Sequence, residues 1–193
     1  MVGSWDDAGM RIDEAQGDVR RVYRGGFVGQ LVSGALWLLA AATASWVSPA
    51  ASIATLFFGG MLIFPLTTLA LRAAGGPAAL PKGHPMAALA TQIAFTVPVG
   101  MLVAVALGLT KPNLFFPASM IIVGAHYLPF VFLYGMRLFA VLAAILISCG
   151  VLLLLWFPMG APLGGWFAGA LLVLFAFLLR ASASSFTGSR ARN

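Results

Sequence analysis

Beyond Asp18 the chain has no carboxylate side chain: its five acids are Asp6, Asp7, Asp13, Glu14 and Asp18, and from Val19 to Asn193 there is none. This absence excludes more chemistry than any motif supplies. Proton-coupled carriers commonly relay through intramembrane carboxylates, and cation pores commonly use acidic rings. Two-carboxylate glycoside hydrolysis, metal-assisted hydrolysis and magnesium-dependent phosphoryl transfer need acids as well. Charge of either sign is scarce, at 8% of 193 residues, where a soluble domain carries roughly 25%. Cysteine is scarcer still. Cys149 stands alone in an apolar run, so no intrachain disulfide forms, no zinc or iron–sulfur spacing exists, and the residue reads as a small buried hydrophobe.

What fills the chain instead is apolar. Hydrophobic residues make up 61% of it, and the mean hydropathy is +1.00. Only a bilayer tolerates that balance, because a soluble fold has too little polar surface to cover it. The length leaves no room for a second, soluble domain. A net charge of +6 and a pI near 10.5 invite a nucleic-acid reading. It fails, because the basic residues are spread between apolar runs and form no extended patch. They serve as topology signals.

Apolar runs punctuated by Pro, Gly and charge predict an all-α bundle of six transmembrane helices, at about 27–47, 52–71, 86–109, 114–134, 138–157 and 165–179. These spans lie in a membrane domain covering about 26–180. Residues 1–11 read as a disordered leader, within which Met10 is an alternative start. Over 12–25, Ile12, Ala15, Val19, Val22 and Tyr23 recur at helical spacing, predicting a short amphipathic juxtamembrane helix lying at the interface. Arg20, Arg21 and Arg24 before the first span resemble a signal-peptide n-region, but the apolar stretch is too long for one and reads as a retained helix. The Ser- and Arg-rich tail, 181–193, reads as a disordered cytoplasmic tail.

Orientation follows from the cations. With both termini inside, ten of the eleven Lys and Arg residues fall on the cytoplasmic side and only Lys111 opposite, a decisive positive-inside bias.

The informative polar residues sit within the spans. Gln30, Ser33, Thr67, Thr91, Gln92, Thr96, His126 and Tyr127 fall in the cytoplasmic halves of the first four, while spans five and six read as lipid-facing or oligomer-facing cover. Pro65, Pro98 and Pro129 interrupt spans two to four, each removing a helical hydrogen bond and favouring a kink around a cavity. His126 is the one histidine in an apolar run, and leaving it unpaired there is costly. It points about 100° from Tyr127, so the two need not serve one cavity. These features predict a neutral hydrogen-bonding vestibule lined by Gln30, Thr67, Gln92, Thr96, His126 and Tyr127. Lys82 and His84, in the loop before span three, form a second candidate site on the cytoplasmic side; taken alone, His84 reads as exposed polar and Tyr134 as an interfacial anchor. No catalytic residue, metal site or cofactor is expected. Ser148-Cys149-Gly150 follows His126 in the wrong order for a membrane serine protease, haem would need a second axial ligand, and no phosphate-binding glycine loop occurs.

Asp18-Val19-Arg20-Arg21-Val22-Tyr23, Phe64-Pro65-Leu66-Thr67, Leu80-Pro81-Lys82-Gly83-His84-Pro85 and Val123-Gly124-Ala125-His126-Tyr127-Leu128-Pro129-Phe130 resemble a family of small bacterial multi-pass membrane proteins with a domain of unknown function. The resemblance spans roughly Ile12 to Gly150. It implies a bacterial inner membrane and Met10 as the homologous start, and it carries over no activity for any residue. The sequence therefore predicts a small transport or ligand-binding membrane protein, a homo-oligomer in the lipid bilayer with an unidentified small-molecule or protein partner. The alternative is a non-catalytic scaffold or accessory subunit.

Overall fold

A computed structural model describes residues 10–156 and 161–190, with side chains for all of these except 161 and 184–190. The chain forms α1 (Ile12–Val22), a 3-10 turn at Arg24–Gly26, α2 (Phe27–Trp46), α3 (Pro49–Ala73), α4 (Ala87–Thr110), a second 3-10 turn at Pro112–Leu114, α5 (Phe115–Tyr134), α6 (Leu138–Leu155) and α7 (Ala161–Arg190). No strand occurs among the described residues. Six helical segments, corresponding to α2 through α7, are long and apolar enough to cross a membrane. Most of the leader (1–9), the turn residues 157–160 and the last three residues of the expected tail lie outside the described residues.

Local chemistry sets the boundaries. Ser48 caps α3, its Oγ accepting the Ala51 N–H at 3.1 Å, and Pro49 takes the first helical position, where its missing N–H costs nothing. The helix therefore begins three residues before the expected Ser52. Lys111, preceding Pro112, is extended (φ −139°, ψ 94°) and ends α4, as the proline ring demands of its predecessor. Gly135, at φ +64°, closes α5 in the left-handed conformation. Pro65, Pro98 and Pro129 all lie inside continuous helices. α7 continues to Arg190, well past the expected end near residue 179. No proline interrupts its Ala- and Ser-rich extension, so the expected irregular tail is helical through Arg190.

Packing divides the six long helices into two groups. α2 packs closely on α3 and α7, and α5 packs on α4 and α6, while α3 and α4 meet only loosely. The groups join through α5, whose Phe116 meets Trp37 of α2 with ring centroids 5.9 Å apart. Trp37, Phe116, Met120, Phe139, Leu142 and Leu146 are all buried in this core. The α2–α7 seam depends on small residues. A Cβ on Gly34 would lie 2.7 Å from Val173 Cγ2 and 3.2 Å from the Gly169 carbonyl, and one on Gly169 would lie 2.9 Å from the Leu38 nitrogen. On α7, Ala168, Leu172, Ala176 and Leu179 are fully buried.

This corrects the expectation that span six is mere cover. The α7 span is the second most enclosed, after α5 (span four), whereas span five, α6, is less enclosed than the first span and α3 is the least. Polar content had not pointed to α7. In a bilayer, helices associate through close van der Waals packing of small residues, and polar content does not report that.

α1 is an amphipathic helix whose apolar face is used within the protein: Ala15, Val19 and Val22 are buried and the helix packs across the end of α5. Its acids Asp13 and Glu14 are in the first turn and Arg20 and Arg21 in the last, the arrangement that complements a helix dipole. With α1, the 74–86 loop and Arg137 at one end of the bundle and Lys111 at the other, that end is strongly basic.

Gly169→Ala is expected to destabilise the protein by about 1–3 kcal/mol, because the Leu38 backbone cannot yield to the added methyl. Gly60→Ala, at a helical glycine with nothing within 4 Å of its added Cβ, is expected to be neutral or stabilising. Thermal unfolding of the two variants in one detergent checks the contrast.

Candidate functional site

The expected vestibule residues separate into two hydrogen-bonded pairs on adjacent sides of α5. Tyr127 and His126 are consecutive, and the helical step of about 100° sends them to different neighbours. Tyr127 turns to α2, where its hydroxyl donates to Gln30 Oε1 at 2.6 Å and also meets the Ser33 hydroxyl. His126 turns to α4, where its Nδ1 lies 3.1 Å from Thr96 Oγ1. The Thr96 hydroxyl also reaches the Ile93 carbonyl at 2.7 Å, so the threonine bridges the imidazole and its own helix backbone. The ring is also framed by Phe130 and Tyr127, with centroids 4.9 and 5.7 Å away.

Tyr127, Gln30 and Ser33 are all buried, yet their hydrogen-bonding capacity is not exhausted. Gln30 Nε2 is buried with no partner, and so is Thr67 Oγ1 on α3. Thr67 faces α2 beside Gly29, whose Cβ position lies 3.8 Å from the threonine side chain. Two unsatisfied polar groups thus sit on or beside consecutive residues of α2, Gly29 and Gln30. In hydrocarbon an unpaired amide or hydroxyl costs several kcal/mol, by the usual order of magnitude. Gln92 joins neither pair: it is exposed on α4, one turn before Thr96. The Tyr127–Gln30–Ser33 group is closed off from the surface, whereas the His126–Thr96 pair opens outward, with Thr96 exposed and His126 half-buried.

The second candidate pair, Lys82 and His84, shares one open surface recess of about 490 Å³, lined also by Gly83, Met10, Asp18, Pro81 and Pro85. Lys82 is exposed, but His84 is 7% exposed, contrary to its reading as an exposed loop residue. Its Nδ1 accepts the Met86 N–H at 3.2 Å, and its Nε2 lies 3.6 Å from Asp18 Oδ2. Asp18 also pairs with Arg21 at 2.6 Å. At 3.6 Å from Asp18, Nε2 makes no hydrogen bond, and the acid it faces is far away in the chain, which sequence spacing alone does not reveal.

Sequence reasoning missed how α1 is fastened. Gln16 Nε2 donates to the Phe132 carbonyl at 2.6 Å, and the Arg20 guanidinium donates to the Tyr134 carbonyl. Both acceptors belong to the last turn of α5, where carbonyls lack helical partners and a cation complements the dipole. Tyr134 is buried against Phe130 and Phe139 at centroid distances of 5.5 and 5.0 Å, and is no interfacial anchor. The one available signal was the quartet Gln16, Val19, Arg20, Tyr23, whose i, i+3, i+4, i+7 spacing marks a single helical face.

An all-α bundle with six helices able to cross a membrane, a closed polar cluster and no acid within the spans defines a class of small multi-pass membrane protein. Within it, the chain belongs to a family of unknown function, DUF7010, whose model matches residues 12–182. The match begins at Ile12, as the resemblance did, and runs beyond Gly150 into α7. No curated protein and no solved structure matches the chain.

Two outcomes follow for this site. Tyr127→Phe leaves Gln30 Oε1 buried without a donor and is expected to cost about 1–3 kcal/mol. Adding Gln30→Leu removes the orphaned group, so the double variant should be less destabilised than the two single losses combined; strict additivity in a double-mutant cycle would deny the coupling. At the outer end, burial raises the Tyr23 phenol above its ordinary pKa of 10.0, opposed by a backbone hydrogen bond from Leu80. The unfolded chain therefore ionises this phenol first. The stability it contributes is present below about pH 10 and is lost as pH rises through the folded-state value. Thermal melts from pH 8 to 11 should fall less steeply in Tyr23→Phe than in the parent.

Proposed function

We propose that this protein is a small transport or ligand-binding membrane protein that recognises an uncharged, hydrogen-bonding solute at the cluster of Gln30, Ser33, Thr67 and Tyr127, without a catalytic step. The basic end faces the cytoplasm of a bacterium, on the positive-inside distribution of its cations, with both termini on that side of the inner membrane. One observation carries the reading: Gln30 Nε2 and Thr67 Oγ1 are buried and unpartnered at membrane depth beside a satisfied pair.

A solute that accepts from the Gln30 amide and exchanges a hydrogen bond with Thr67 would relieve both deficits. The solute is uncharged because no Asp, Glu, Lys or Arg lies in the cluster to balance a charge. His126 and Thr96 supply a second polar station toward α4. Glycerol and urea permeation into proteoliposomes, followed by light scattering after an osmotic step, tests the proposal. Permeation above that of protein-free liposomes, reduced at least several-fold by Gln30→Leu, is expected. Rates equal to those of empty liposomes for every uncharged solute tried would count against transport, and an absence of binding by calorimetry would remove the ligand reading too. His126→Ala, which spares the α2–α5 cluster, reports whether the second station contributes.

A scaffold or accessory-subunit role is favoured by a different feature. α3 buries least of the six spans, and α4 exposes Thr91 and Gln92 beside Phe95. Polar side chains on an outward face suit a protein contact better than lipid. Native mass spectrometry from nanodiscs distinguishes a homo-oligomer from a heteromeric assembly.

A further inference from the structure

We infer that the outward face of α4 is the interface between two copies of this chain, which form a two-fold dimer in the membrane with Gln92 bonded to the partner subunit's Gln92. The dimer does not rest on the solute reading. It commits the outward polar face of α4 to one occupant, a second copy.

Two opposite faces of α4 keep one register along the helix. Ile93, Met101, Ala104 and Gly108 are buried toward the bundle. Away from it, Ala88, Gln92, Phe95, Val99, Leu102 and Ala106 are all exposed. Their spacing alternates four and three residues, the a/d repeat by which one helix packs on another. Nothing in the protein covers this seam, because α3 and α4 meet only loosely and the α4 span is the least enclosed after α3. An outward face that meets only lipid needs apolar residues and no more. This one sets a carboxamide at an a position.

Across α2 to α7 there are only two amide side chains, Gln30 and Gln92, and Gln92 is the outward one. α4 has 24 residues, about 36 Å at 1.5 Å each, so it overhangs a hydrocarbon core of about 30 Å by only about 3 Å at either end. Gln92, more than a turn past Ala87, therefore lies within hydrocarbon. The neighbouring hydroxyls find local acceptors, Thr91 on the Ala87 carbonyl at 2.9 Å and Thr96 on the Ile93 carbonyl at 2.7 Å. Gln92 makes no hydrogen bond among the described residues, and an acyl chain offers it none. What relieves a carboxamide is a group that both donates and accepts at the same depth. A second copy supplies that group, because identical chains insert with one topology and a two-fold axis along the membrane normal sets equal residues opposite each other. One polar residue at an a position then fixes the register of the pair. Thr91 and Thr96 flank the seam on either side of Gln92, so the partner also covers the side on which the His126–Thr96 pair opens.

Oxidative cross-linking of the full chain, dilute in proteoliposomes, tests the interface. In a Cys149→Ser background, Ala88→Cys, Val99→Cys and Ala106→Cys place single thiols along the seam. Leu152→Cys on α6 and Leu174→Cys on α7, both exposed positions, report random collision. The seam thiols should form linked dimers several-fold faster than the other two. Energy transfer between labelled copies, followed as lipid is added, measures dissociation. Gln92→Ala should weaken the dimer about threefold to tenfold, and Gln92→Asn, which keeps the amide, should weaken it less. Seam thiols that cross-link no faster than positions 152 and 174 overturn the interface, as does Gln92→Ala associating as tightly as the parent. Cross-linking of Val99→Cys to a different protein in the native membrane, with no linked dimer, also overturns it and leaves the accessory-subunit reading in place. Gln30→Leu, buried on α2, should lower solute permeation without changing cross-linking, so the interface and the solute reading fail by separate measurements.

Discussion

A hydrogen-bonding group in hydrocarbon has no water to fall back on, and the Tyr127–Gln30 bond is where this constraint bears hardest on the fold. It joins α5 to α2, and so joins the α4–α5–α6 group to the α2–α3–α7 group at membrane depth. Nearby, Trp37 and Phe116 make the apolar part of the same junction. The aromatic contact supplies area, and the 2.6 Å hydrogen bond supplies direction, because a phenol and an amide satisfy each other in only a narrow range of helix rotations. Once α5 is rotated so that Tyr127 meets α2, His126 is obliged to face α4, and its pairing with Thr96 follows.

The same constraint explains the basic end. At the end of α5 the Phe132 carbonyl accepts the Gly135 N–H, and side chains from α1 add a second donor there and one at the Tyr134 carbonyl. These donors come from outside the membrane-spanning segments, and the acid that the loop histidine faces comes from the same helix. Three segments distant in the sequence, α1, the 74–86 loop and the end of α5, thus form one polar assembly. Two of them, Asp18–Tyr23 and Leu80–Pro85, are segments on which the family resemblance rested, and their proximity gives that resemblance a physical basis.

Six spans were legible because runs of about 20 apolar residues have few other interpretations. The division of His126 from Tyr127 was legible for an equally simple reason, the helical angle between neighbours. Burial was not legible. Hydropathy scores Leu172 of α7 and Leu62 of α3 alike, yet one is fully buried and the other is 53% exposed, because helix contact and lipid contact are equally apolar. The usable sign lay in small residues, with Gly165, Ala168 and Gly169 on α7 matching Gly34 and Ala41 on α2. Nor could the burial of His84 be read, since it faces Asp18 of a distant segment, and neither residue's local pattern names the other. The vestibule residues were individually sensible, but a set of polar positions does not tell which will satisfy one another.

The seam between α2 and α7 has a consequence for how the bundle is assembled. These are the first and last of the six spans, and their glycine-lined contact is among the closest in the protein. As the chain emerges and inserts in order, α2 enters the membrane with Gly34 and Ala41 facing lipid, and it waits for four further spans before its partner arrives. α3 and α6 can pack on a sequence neighbour at once. The fold is therefore held open by its own order of synthesis and closes late, when α7 completes a ring that no shorter version of the chain contains.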